Sequence, residues 1–360
     1  MQRILTAAAL ALALGGLAQA KILPGEPACN TLTPALTGGP VPSAKSDTLV
    51  LRWLGTANYE MAYKGQVFLF DTYYDRPGRT RPIGFTVDQV KRADVIFIGH
   101  PHSDHISDIA PVAKQTGALV VGSQLSIDTA IKLGVPTAQT RAVHDGDVLT
   151  FGPVKVRVAL ARHSTIQDGL TAAHRQMYAV DQLSPLTDAE AAHAKDIQAR
   201  GTSVPAVITE GTLGYGVVLP SGFKLVVFDT AGPITDGDKA LAKALGGSVD
   251  VLTVPYQPHP VAEHQVQDSW PFITTFNPKL VLPTHHDAIW NAWLDLGTEP
   301  LFEKIRDERP GVNFISPLYR SAICIGTAGK TRGQMKVSIR LRLRLHRPAF
   351  HAHGRLAQRF

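Results

Sequence analysis

Gly99-His100-Pro101-His102-Ser103-Asp104-His105 is the stretch on which the reading of this chain turns. Residues 93–98, just ahead of it, form a short and mostly apolar run of the kind buried as a strand in a sheet. The stretch therefore sits at a strand's C-terminal end, and it packs three imidazoles and one carboxylate into six positions. Neutral imidazole and carboxylate are the ligands that zinc and similar divalent ions take. Alternate spacing sets His100 and His102 side by side and turns Asp104 and His105 toward a second position, so one loop can serve two metals. The plainer alternative is a polar surface loop whose histidines cap a strand. What separates the two is whether the missing ligands lie downstream at other strand ends.

They do. Residues 154–160 alternate as a strand and run into Arg162-His163-Ser164; residues 223–228 end at Asp229; residues 279–283 lead to Thr284-His285-His286-Asp287. Upstream, residues 48–54, 59–63 and 66–71 open the fold as antiparallel strands, with Asp71 placed either to support the metal loop from behind or to cap the turn after it. Helices are expected over 87–92, 106–115 and 126–133, and strands over 118–122, 214–220 and 249–255, the alternation of sheets covered by helices. Residues 166–204 hold Ala/Glu/Asp/Lys-rich stretches, 186–200 above all, that start away from any strand. They read as a helical insertion capping the site, with His174 and His193 as surface or pocket residues.

The 44% hydrophobic and 18% charged content is that of an ordinary globular protein, and 360 residues suffice for one large core. Residues 1–20 differ: Arg3, an apolar Ala/Leu run and Ala18-Gln19-Ala20 read as a signal peptide, which implies a periplasmic or secreted protein. No later segment has the apolar length of a membrane helix, so no stable membrane insertion follows signal cleavage. In an oxidising space Cys29 and Cys324 either pair or stay separately buried. The net charge of +6 belongs to the end of the chain, where residues 330–360 carry nine Lys/Arg and no acid. With those and Arg3 set aside, 26 basic residues face 30 acidic ones, so no nucleic-acid partner follows from the pI. The organisation expected is signal peptide 1–20, extended leader 21–46, main domain 47–326 and a basic tail 327–360 without a place in the fold.

Taken together, the ligand candidates His100, His102, Asp104, His105, His163, Asp229 and His285 make a complete set for two adjacent metals. In order and placement the sequence resembles the metallo-β-lactamase superfamily over about residues 48–325. The resemblance implies an α+β fold, a four-layer αββα sandwich. It implies His100, His102 and His163 on a first metal, Asp104, His105 and His285 on a second, and Asp229 bridging both. Pro283-Thr284-His285 resembles the superfamily's closing motif, which favours His285 over its neighbour His286. Two divalent ions, zinc by ligand type, would lower the pKa of a bridging water toward neutrality, and the hydroxide would attack an ester, lactone, amide or phosphodiester of a small-molecule substrate. Asp104 is the catalytic candidate as proton acceptor. Asp104-His105 departs from those β-lactamases with Arg at that place, and the downstream spacing is most similar to the branch with ascorbate-phosphate lactonase-like and phospholipase-like enzymes. An exported β-lactamase and a non-catalytic metal-binding protein are the rivals; the anionic ligands Asp104 and Asp229 argue against the second. Tyr256, His259, His264 and Trp290 lie near the last ligand in sequence, where each either touches substrate or serves the fold.

Overall fold

The computed structural model describes residues 26–77, 80–164, 185–256, 262–287, 297–328 and 337–339. Residues 1–20, expected as a signal peptide, together with His174, His259, Trp290, the side chain of His264 and most of the basic tail, lie outside the described residues. The chain first builds one sheet from β1 (Thr48–Trp53), β2 (Tyr59–Tyr63), β3 (Gln66–Phe70), β4 (Val95–Phe97), β5 (Leu119–Gly122) and β6 (Thr140–Ala142). It then builds a second from β7 (Val148–Phe151), β8 (Val154–Leu160), β9 (Leu213–Val218), β10 (Lys224–Val227), β11 (Val249–Pro255), β12 (Pro278–Thr284) and β13 (Asn313–Phe314). Finally β14 (Ile323–Gly326) and β15 (Val337–Ile339) return to the first sheet, where β14 lies antiparallel against β1. Val337–Ile339 belongs to the stretch expected to have no place in the fold; its backbone instead adds an edge strand to β14.

Apolar runs without alternation, such as Val95–Phe97 and Lys224–Val227, become strands buried on both faces, because helices cover the outer side of each sheet. Three apolar layers result. Phe68, Phe97, Tyr215, Val217 and Leu280 fill the space between the sheets. Outside the first sheet, Leu69 and Ile96 pack with Val112 and Ile127 of α2 (Ile109–Thr116) and α3 (Gln124–Leu133). Outside the second, Val226 and Leu252 pack with residues of α6 (Asp236–Ala244), α7 (Ala262–Phe276) and α8 (Glu299–Glu308), among them Phe272 and Ile305. Three such layers between four layers of secondary structure make the αββα sandwich the sequence led one to expect.

Two local expectations change. Residues 87–92 form a single 3-10 turn, Val87–Gln89, in place of a helix. The helix expected over 106–115 is two, α1 (Ser103–Ile106) and α2, parted at Asp108, whose carboxylate accepts the backbone N–H groups of Tyr74 and Asp75 at 2.6 and 2.8 Å. Within the insertion, α4 (Asp188–Ala199) is capped at its start by Thr187 and Glu190, and α5 (Ala206–Thr209) follows. No helix among the described residues is long and apolar enough to cross a membrane.

Residues 26–46 lie on the first sheet through a buried polar clamp. Glu60 accepts the N–H groups of Ala35 and Leu36 at 3.0 and 2.6 Å, while Arg52, 3.3 Å from Glu60, donates to the carbonyls of Ala28, Thr31 and Arg320. Cys29 and Cys324 are joined as a disulfide across a Cα–Cα distance of 5.9 Å.

Candidate metal centre

Strand direction gathers the candidate ligands. β3 and β4 are parallel, so Asp71 and the 100–105 loop leave the first sheet at the same edge. In the second sheet β8 and β10 both run antiparallel to β9, and β10, β11 and β12 are parallel, so His163, Asp229 and His285 all follow strands that end on one side. Pro101 disfavours a helical His100, and α1 starts only after His102, which is extended at φ −67° and ψ 154°. Its single turn then carries Asp104 and His105 round to another position.

The ligands meet as two adjoining sets. Ligand atoms of His100, His102 and His163 lie within 4.8 Å of one another, and so do those of His100, Asp104 and His105. His100 Nε2 stands 3.0 Å from His102 Nδ1, and His285 Nε2 stands 3.4 Å from both His105 Nε2 and Asp104 Oδ2. The structure thus turns His285 into the cluster. His286 instead stacks on Trp53, ring centroids 4.4 Å apart.

Hydrogen bonds behind the rings fix which nitrogen faces inward. His163 Nδ1 donates to the Ser164 carbonyl at 2.9 Å, leaving Nε2 with a lone pair. His105 Nδ1 lies 2.8 Å from Asp71 Oδ2, and Asp71 Oδ1 accepts the Gly99 N–H at 3.0 Å, so Asp71 supports the metal loop from behind. Asp229 differs from the bridging place that the resemblance implies. Its Oδ2 is 2.6 Å from His100 Nδ1 and 3.6 Å from His105 Nδ1, on the ring edges opposite the inward nitrogens. The cause is Gly99: a Cβ there would stand 2.0 Å from Asp229 Oδ2, and its lack lets the carboxylate sink beneath the loop.

Burial and crowding among imidazoles push His100 well below the usual histidine range and His163 down to about 4, so both rings are neutral donors to a cation. For His105 burial pulls down, but the Asp104 and Asp71 carboxylates win and raise it to about 10. An ion at Nε2 would take that proton's place. Burial would raise Asp104, yet His105 and His285 hold it far below the ordinary carboxylate range. Asp229 is pushed up by burial and by Asp71, and its Oδ1 is buried with no hydrogen-bond partner among the described residues, as is His285 Nδ1. This all-nitrogen and oxygen donor set, with an unsatisfied buried carboxylate oxygen beneath it, fits divalent ions. Among the expected ligands, His102 and Asp104 alone are not fully buried, so the centre opens to solvent on their side.

Sequence reasoning missed the residues that brace the centre. The turn after α4 lies on the metal loop: Thr202 N–H donates to the Pro101 carbonyl at 2.8 Å, and a Cβ on Gly201 would fall 2.4 Å from Ser103 N. Arg200 reaches Asp108 at 2.9 Å and Asp75 at 2.5 Å; His193, which the sequence offered as a surface or pocket residue, pairs with Asp75 at 2.8 Å and is not one of the braces. Asp287 carried one signal, an acid directly behind the His-His pair. Burial would raise it, but Arg76, Tyr319 and His286 outweigh that and hold it low.

No family model matches the chain. It is 30% identical to a UPF0173 metal-dependent hydrolase of Myxococcus xanthus over 178 residues, 49% of this chain and 56% of that protein. A UPF0173 metal-dependent hydrolase of Caldivirga maquilingensis matches at 30% over 116 residues, 32% of this chain and 49% of the relative. The chain spans about half the length of the curated relatives it matches. Among solved structures, Igni18, a metallo hydrolase of Ignicoccus hospitalis, superposes with a TM-score of 0.53 at 13% identity, covering 77% of this chain and 98% of that one. The likeness at that identity is one of fold, the helix-flanked double sheet of metallo-β-lactamase type.

Proposed function

We propose that this chain is a metal-dependent hydrolase, with His100, His102 and His163 holding one divalent ion and Asp104, His105 and His285 a second. The observation that carries the reading is the convergence of five imidazoles and Asp104, from three separate strand ends, on two adjoining points. Relatives named as metal-dependent hydrolases support it. Zinc is the ion proposed, because imidazole and carboxylate are among its usual ligands. When bound, such ions activate water near neutral pH and polarise a substrate oxygen.

The chain's own residues supply the rest. Asp229 and Asp71 hold His100 and His105 by their Nδ1 edges so that Nε2 points inward. Asp104, on the partly open side, is the carboxylate placed to accept a proton from an attacking water. The bond class proposed is an ester, lactone, amide or phosphodiester of a small molecule. Export is proposed with it: the Cys29–Cys324 disulfide suits an oxidising compartment, and residues 1–20 have the pattern of a signal peptide.

Metal analysis together with a chromogenic panel of ester, lactone, β-lactam and phosphodiester tests this. Two bound equivalents and turnover of one class, lost on chelation, are the expected result. Two retained metals with no turnover would favour a binding protein.

A further inference from the structure

His285 is the one expected ligand with a left-handed backbone, φ 61°. A non-glycine residue keeps that conformation only where its surroundings impose it. Here the surroundings are a reciprocal lock between two turns. His285 N–H donates to the Thr56 carbonyl at 2.9 Å, and Thr56 N–H donates back to Asp287 Oδ1 at 2.9 Å. Asp287 Oδ2 accepts from Arg76 Nη1 at 2.9 Å and from the Tyr319 hydroxyl at 2.5 Å, while Arg76 Nη2 donates to Thr56 Oγ1 at 3.0 Å. Thr56 is itself left-handed at φ 49°, and its carbonyl also accepts Trp53 Nε1. Asp287 and Thr56 are buried, so these bonds do not compete with water.

Among the described residues, the hydrogen bond that ties this lock to an expected ligand goes to His285, of the second set. We propose that Asp287 is a positioning residue: through Thr56, Arg76 and Tyr319 it fixes the left-handed turn that presents His285 to the second ion, and so governs the affinity of that ion and not of the first. The inference rests on reading Asp104, His105 and His285 as a metal set. Arg76 and Tyr319 come from the loops after β3 and before β14, so three distant parts of the chain set one ligand.

Cobalt(II) titration of the full, disulfide-bonded protein tests it, with visible absorption and calorimetry as readouts and the melting temperature of the metal-free protein measured beside them. The wild type should take up two equivalents. In Asp287→Asn the first should bind as in the wild type and the second about 10- to 100-fold more weakly. Tyr319→Phe keeps its ring beside Trp53 but loses the hydroxyl, and should weaken the second step in the same sense by less; it decides the matter if Asp287→Asn does not fold. A second step of wild-type affinity, or both steps weakened alike alongside a lower melting temperature, overturns the proposal and leaves the metal centre standing. A wild type that binds no cobalt overturns the centre itself, and the proposal with it.

Discussion

His102 combines partial exposure with an Nδ1 that faces His100 Nε2 at 3.0 Å, so its ring is the most replaceable part of the first set without disturbing the core. His102→Ala should bring hydrolysis to background and lower bound metal below two equivalents. Asp229→Ala acts from behind, stripping His100 Nδ1 of its partner, and should weaken metal binding about 10- to 100-fold. His193→Ala, whose ring meets Asp75 and no expected ligand, should retain both metals by elemental analysis; a loss there would contradict the assignment. The seven ligand candidates were legible because each stands just past an apolar strand or within the 100–105 motif. Asp71 and Asp229 were legible in identity and not in role, since which oxygen meets which ring edge depends on Gly99 lacking a side chain.

Among the elements, the insertion and α6 each yield a test. Gly201 brings its backbone against Ser103, and Gly201→Ala would set a Cβ against main-chain atoms that cannot turn aside. A loss of roughly 1–3 kcal/mol with weakened metal binding is expected, measured by urea unfolding and metal titration. In α6, Asp238 accepts the Thr235 N–H at 2.8 Å but is fully buried, and burial lifts its carboxyl to about 6. A raised folded value means the native state binds the proton more tightly than the unfolded chain, so stability from this group is present below the ordinary Asp value of about 3.9 and declines as pH rises toward 6. The decline amounts to at most about 3 kcal/mol, and Asp238→Asn should flatten the stability profile across that window. Helices α6, α7 and α8 were not legible: Gly237 sits in the first turn of α6, and Pro271 lies inside α7. Packing on the second sheet overrides those local preferences.

For the molecule as a whole, the alternation of strand and helical runs pointed to sheets covered by helices and the family resemblance implied the four-layer order, whereas the return of residues 323–326 and 337–339 to the first sheet was not legible, since only pairing across the fold reveals it. Replacing Cys29 and Cys324 by Ser should cost about 2–5 kcal/mol in urea unfolding, and that outcome checks whether the link matters once the sheet is complete. The seam between β1 and β14 has a bearing on biosynthesis. Leu51 meets its partner Ile323 only after all the residues between them, the whole second sheet included, have been made. A nascent chain emerging N-terminus first therefore carries a half-finished sheet, with one flank unpaired and the face meant for the second sheet still wet. Such an intermediate invites association with other chains. Native closure then awaits the last strands, and a chain halted before Ile323 should be recovered as aggregate and not as a smaller folded unit.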